Sequence, residues 1–297
     1  MLLSRYKYLR ESIFWFFLFS ILIFLILRFF PLVYGFYSSF FKIRLGFGEK
    51  EFIGLKNYFE VLSSPKFLYS TFLTIIYTAG SVFLGLVIGF SSALIMNSIN
   101  WKSKLLRALI LAPWVVSPVV AAMSWKFFLD PNFGLFNNIF HNLGIFARTD
   151  VVCWLSDKRF ALFTCIVTQV WLIFPFMSIM LLAAISSIPK ERYEAARVDG
   201  ASPFQIIFYI TLPSISLTLF FLILFGMITC FNMFDLVWVL TRGGPVGSTE
   251  VLALYVFRTG LRDFRIGAAN ATGIIMFLIM LVIGAIYSKI YKPEGVQ

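Results

Sequence analysis

The sequence predicts an all-α integral membrane protein with six transmembrane helices, on three observations. Six apolar runs, 13–34, 70–96, 105–129, 160–185, 214–238 and 267–291, each reach the roughly 20 residues that cross a bilayer. The chain is 60% hydrophobic and 19% aromatic, and only 13% of it is charged, about half the share expected of a soluble domain. Finally, the charges gather between the runs rather than at their centres.

The first run follows Arg5, Lys7 and Arg10. It is too long for the apolar core of a signal peptide, and no small-residue cleavage site follows Pro31, so it is expected to be a retained helix. The second run ends before Lys102, Lys104 and Arg107, which introduce the third. The fourth run leads into Lys190, Arg192 and Arg197, and the fifth opens at Pro213, which suits a first helical turn because its missing donor is not needed there. The sixth run closes on Lys289 and Lys292. Cation density at the membrane ends favours both termini inside, with 1–12, 97–107, 186–213 and 289–297 as inner segments. The raw count of Lys and Arg points the other way, because the longer outer loops carry more of them, interleaved with acids. The net charge of +11 fits anchoring at an anionic leaflet. No basic face is concentrated on a soluble domain, which argues against a nucleic-acid partner.

Several function classes find no support. Cys153, Cys165 and Cys230 are odd in number and widely spaced, which suits neither a disulfide framework nor a zinc site. The single histidine, His141, reads as a loop residue. There is no GxxxxGK[ST] loop for ATP, no GxSxG elbow and no HExxH helix. The outer acids Asp130, Asp150, Asp157, Glu250 and Asp263 are not closely paired, as a membrane glycosyltransferase would need. Arg28, Lys126 and Asp235 approach the membrane, but each lies near a run's end. Without central charge pairs, a secondary carrier driven by protons or sodium is the weaker reading.

A short charged island, Glu194-Ala-Ala-Arg-Val-Asp-Gly200, separates the fourth and fifth runs. Pro189 and Glu191 suit the first turn of a helix and Gly200 suits its exit, leaving room for about three turns. Ala195 and Ala196 leave that helix nearly bare, so another surface can approach closely, and Lys190, Glu191, Arg192, Glu194 and Arg197 offer charges to it. A docking helix and an ordinary solvated loop both fit these residues.

The run EAARVDGASPFQIIFYITLP resembles the EAA loop of permease subunits in binding-protein-dependent ABC importers, and is most similar to the carbohydrate branch that includes maltose and glycerol-phosphate systems. The likeness extends over nearly the whole chain. It includes FFPLVYGFYSSF, FIGLKNYFEVL, RALILAPWVVSPVVAAMSWKFFLDPNFGLFN, TRGGPVGSTEVLALYVFRTGL and IGAANATGIIMFLIM.

The resemblance implies a type I ABC importer permease fold with a cytoplasmic EAA coupling helix. A first segment, 1–69, would carry the first transmembrane helix and an outer loop. A five-helix core would span 70–291, with its coupling loop at 186–213, and 292–297 would be a cytoplasmic tail. The implied partners are a second homologous permease subunit, two ATPase subunits, an extracytoplasmic sugar-binding protein and membrane lipid. No cofactor is expected in this chain, since ATP and magnesium would bind the ATPase subunits. The implied location is the cytoplasmic membrane of a prokaryote. Glu194 would pair with a cation in the ATPase cleft, Ala195 and Ala196 would allow close approach, and Gly200 would turn the chain. Asp199 would add a contact or remain a solvated charge.

By position in the maltose-type relative, the solute path would be lined by Trp114, Pro118, Leu172, Ile173, Phe176, Gly226, Thr229, Cys230 and Met233, with Asn232 as a nearby polar group. Gly226, Thr229, Cys230 and Met233 share one helical face by spacing. Trp114 and Phe176 offer rings on which a sugar could stack. Pro118, Gly226, Cys230 and Met233 stand where maltose would be read by polar groups, so the cargo stays open: an oligosaccharide, a sugar alcohol, glycerol phosphate or an oligopeptide. Packing against a neighbouring helix is the alternative for this face. The Gly243-Gly244-Pro245 segment fits either a plain turn or a loop that meets the binding protein.

Overall fold

The computed structural model describes residues 2–44, 46, 48, 50–98, 104–145, 147 and 151–290. Lys102, Asp150, Lys292 and the tail 292–297 lie outside the described residues.

The described residues are mostly helical. α1 (Leu2–Phe24) continues through a π-helical turn at Leu25–Phe29 into α2 (Phe30–Ser38). A hairpin of β1 (Phe41–Ile43) and β2 (Lys50–Phe52) follows, pairing Phe41 with Phe52. Then come α3 (Lys56–Leu62), α4 (Pro65–Ser98), α5 (Lys104–Val115), α6 (Pro118–Phe128), α7 (Leu135–Asn142), α8 (Lys158–Ser186) and α9 (Lys190–Val198). α10 (Pro203–Ile206) passes through a π-helical turn, Ile207–Thr211, into α11 (Leu212–Ser214) and α12 (Ser216–Phe231). α13 (Asp235–Thr241), α14 (Leu252–Phe257), a π-helical turn at Arg258–Arg262 and α15 (Ile266–Ile290) complete the chain.

Among the described residues, four helical stretches are apolar and long enough to cross a membrane: Ile13–Ser38, Pro65–Asn97, Lys158–Ser186 and Ile266–Ile290. Two further runs are bent pairs. Ala108–Val115 and Pro118–Phe128 meet at 104°, and Pro203–Ser214 and Ser216–Phe231 meet at 72°. The sequence reading drew 105–129 as one unbroken span and began the fifth run at Ser214, leaving 203–213 outside it. The first break falls at Ser117, whose ψ of 140° is extended, because the ring of Pro118 disfavours helical backbone in the residue before it. The second falls at Ile215, two residues after Pro213. The fifth run also breaks near Asn232 before α13 begins at Asp235.

The chain divides into two compact units. The first comprises Met1–Ser64 and Val256–Leu278. Here Asn57 Nδ2 donates to the carbonyls of Ser39 (2.7 Å) and Phe41 (2.9 Å), tying α3 to the hairpin. The Phe41 carbonyl lies so close to Gly267 that a Cβ there would collide with it. Arg265 pairs with Glu60. None of residues 13–37 is buried by this chain.

The second unit comprises Pro65–Tyr255 and Ile279–Gln297. Its centre is α4 against α8, and glycines bring the two helices close. A Cβ on Gly85 would lie 3.0 Å from Ile173, and one on Gly89 3.0 Å from Met177 and 3.2 Å from the Ser178 amide. Small residues at such contacts let backbones approach where lipid gives no hydrophobic drive to pack. Met177, Leu181 and Ile185 are buried along the same line. Tyr77 donates its hydroxyl to Gln169 Oε1 at 3.0 Å within this core. Asp157 caps α8, accepting from the Arg159 amide at 2.9 Å. The Arg159 guanidinium, bound to the same carboxylate, holds it at a pKa of about 2.

Candidate functional site

α9 is built by signals at both ends. Glu191 in its first turn and Arg197 in its last complement the helix dipole. At the exit, the Ala201 amide donates to Ala196 O (2.9 Å) and the Gly200 amide to Arg197 O (3.1 Å). This is the paired closure that a left-handed residue completes, and Gly200 supplies it with φ +77°. The chain then restarts at once. Ser202 and Gln205 form a reciprocal capping box, with Pro203 in the first turn of α10. Glu194, Ala195, Asp199 and Gly200 are exposed, and Ala196 is half-buried. Glu194 makes no ion pair among the described residues. With Lys190 and Arg197 it lines an open cavity of about 940 Å³ that Leu94, Ile95, Asn97, Ile185 and Ser186 also line. An open, charged helix with Ala195 exposed is thus presented outward from the chain.

The second set of residues divides in two. Trp114 of α5 is 48% exposed and stacks on Phe176 of α8, with ring centroids 5.2 Å apart and planes at 21°. Phe176 in turn meets Phe225 of α12 at 4.7 Å, and Phe225 is followed by Phe221 at 6.3 Å. The result is a ladder of rings across three helices. Phe221 and Phe225 were missed in the sequence reading, although their four-residue spacing on one helix was the signal. Leu172, Ile173, Gly226 and Cys230 are buried among the helices. A Cβ on Gly226 would sit 3.0 Å from Met177 and from Val82, so this position seats α12 against α4 and α8. Thr229 and Met233 are half-buried, and Pro118 is half-buried at the start of α6. Asn232 is exposed where α12 ends and donates back to Ile228 O at 2.8 Å. Asp235, also exposed, opens α13.

The Gly243-Gly244-Pro245 segment is a compact loop. Thr241 and Thr249 share a hydroxyl hydrogen bond of 2.6 Å across it, and Thr249 also bonds Gly244 O at 2.8 Å. Gly243 and Gly247 have φ of +80° and +78°, and Val246 is left at the tip with φ +51° and 83% exposure.

The stretch that holds α9, the ring ladder and this loop is matched by one family profile, that of the binding-protein-dependent transport system inner membrane component, over residues 81–292. The chain belongs to that family. It is a multi-pass inner-membrane permease. Curated relatives match this permease along most of its length. It is 37% identical to the trehalose/maltose transport system permease protein of Thermococcus litoralis, over 91% of this chain and 89% of the relative. It is 31% identical to the sulfoquinovosyl glycerol transport system permease protein of Agrobacterium fabrum, over 87% and 83%. It is 32% identical to the sn-glycerol-3-phosphate transport system permease protein of Pectobacterium atrosepticum, over 78% of each. Among solved structures, a chain of a bacterial ABC transporter involved in the import of the acidic polysaccharide alginate superposes with a TM-score of 0.80. The two are 26% identical and 98% of each is covered. A bacterial alginate ABC transporter in complex with its alginate pentasaccharide-bound periplasmic protein gives a TM-score of 0.77 at 26% identity, with 94% and 93% covered.

Proposed function

We propose that this permease forms one half of the translocation path of an ATP-driven sugar importer, and that α9 couples it to cytoplasmic ATPase subunits. The observation that carries the reading is α9 itself: a charged, alanine-faced helix, closed by a left-handed glycine and exposed beside an unpaired carboxylate. An external binding protein delivers the solute, a second homologous permease completes the path, and two ATPase subunits hold ATP and magnesium. The four long helices and two bent pairs make six membrane crossings, with α9 on the cytoplasmic side. The exposed first span lies against lipid and the second permease.

A sugar cargo is supported by the transport systems named for the curated relatives and by the ring ladder. Trp114, Phe176 and Phe225 present flat apolar faces of the kind on which sugar rings stack, and Ser117, Asn232 and Asp235 are exposed polar groups that could read hydroxyls.

The test is a charge reversal and a blocked turn. Glu194→Lys reverses the docking charge, and Gly200→Val places a β-branched residue where φ is +77°. Expressed with its partner subunits, each variant should reach normal membrane levels but lose uptake of radiolabelled trehalose, maltose and glycerol 3-phosphate, whichever of these the parent imports. Parental uptake in both variants would defeat the coupling role of α9.

A further inference from the structure

α9 is held to the rest of its unit by very little. Apart from Tyr193 and Ala196, every residue from Lys190 to Val198 is exposed. The Tyr193 ring packs against the buried core, and its hydroxyl lies 3.3 Å from Thr211 Oγ1. Thr211 is buried and occupies the last position of the π-helical turn that joins α10 to α11. Its Oγ1 donates to the carbonyl of Ile206, five residues back, at 3.3 Å. A threonine hydroxyl has one proton. With that proton given to Ile206, Tyr193 is the donor and Thr211 the acceptor in the pair that joins the two elements.

The surroundings give this contact its importance. Leu94, Ile185 and Ser186 line the same open cavity of about 940 Å³ as Tyr193, Glu194 and Arg197, so α9 is not braced by solid packing on that side. At its exit, Gly200 turns the chain in the left-handed region, and α10 is capped at Ser202, two residues on. Four residues beyond Thr211, at Ile215, the bent pair turns by 72° towards α12. A helix that meets its unit through so few side chains passes on a push through those contacts.

We propose that the Tyr193–Thr211 hydroxyl pair is the pin through which that push passes. It makes Tyr193 a positioning residue that carries displacement of α9 into the π-helical turn and so into α12. The proposal rests on the reading of α9 as the coupling helix.

The experiment uses the importer purified with its native partner subunits, in liposomes. Cys153, the exposed native cysteine, is replaced by serine, while Cys165 and Cys230 are buried and stay. Spin labels are placed at Val198→Cys, 87% exposed, and Leu217→Cys, 64% exposed, on either side of the joint. Their distance is read by pulsed electron paramagnetic resonance without nucleotide and with ATP plus vanadate. In the parent, pinned elements move together and the distance is the same in both states. In Tyr193→Phe, which keeps the ring and loses the hydroxyl, the distance should shift or broaden when nucleotide binds. Thr211→Val should do the same, the double variant should add nothing to either, and Thr211→Ser should restore the parental result. A parental response in Tyr193→Phe would overturn the proposal, as would a nucleotide-dependent distance in the parent. Glu194→Lys separates the two levels. If it releases the ATPase subunits while Tyr193→Phe behaves as the parent, the pin alone is wrong. If it leaves both ATPase association and uptake intact, the coupling role of α9 is wrong.

Discussion

Trp114 and Phe176 show how two residues far apart in the chain acquire one purpose. Each ring alone is an ordinary apolar side chain. Stacked at 5.2 Å, with Phe225 behind them, they make a rigid face whose outer member is open. A ring–ring contact with a bound solute is worth about 1–3 kcal/mol by analogy with base stacking. Trp114→Ala and Phe176→Ala should therefore each weaken import of the native cargo about fivefold or more, read as the concentration dependence of uptake at equal membrane level. Wild-type rate and affinity in both variants would leave the rings as packing residues. The sequence identified these two rings through a resemblance of position, while Phe225 and Tyr193 escaped it. Phe225 was masked because an apolar residue in an apolar helix carries no contrast, and Tyr193 because its partner, Thr211, lies beyond a turn whose geometry the sequence does not spell out.

At the scale of elements, the chain relies on two opposite kinds of contact. α4 and α8 are joined by glycines that leave no room for a side chain, whereas α9 stands beside a void. The first kind makes a rigid post. Gly89→Val would push a branched side chain into Met177 and the Ser178 backbone, and overpacking of this sort costs about 1–3 kcal/mol. The purified variant should unfold at lower temperature in detergent. An unchanged transition would mean that α4 and α8 slide apart without cost. The long helices were legible from apolar length alone, since continuous hydropathy and continuous helix coincide there. The bent pairs were not, because hydropathy reports which residues avoid water and says nothing about direction. The Ser117-Pro118 dipeptide was the available clue to the first bend, and the start of α13 at Asp235, an acid in a first turn, was the clue to the break after α12.

For the whole molecule the open quantity is orientation. Charge counts along the sequence pulled both ways, because inner cations are dense while outer ones are numerous. The structure supplies two reporters, since Val246 and Val198 are 83% and 87% exposed. With Cys153 replaced by serine, Val246→Cys should react with an impermeant maleimide on intact cells, and Val198→Cys only after the cells are opened. Labelling of Val198→Cys from outside would invert the topology and remove α9 from the reach of any cytoplasmic ATPase.

The closure of α9 and the capping box of α10 stand back to back, and Ala201 is all that separates Gly200 from Ser202. Surface loops usually tolerate gain or loss of a residue, because slack absorbs it. Here there is no slack. The amide of Ala201 is committed backward to Ala196, and the amide of Ser202 forward to Gln205. One inserted residue would break one of these bonds or re-aim α9 by about the 100° that a residue subtends on a helix. The length of this joint is therefore constrained along with its glycine and its capping pair. Among descendants of this chain, insertions and deletions at this corner should be purged.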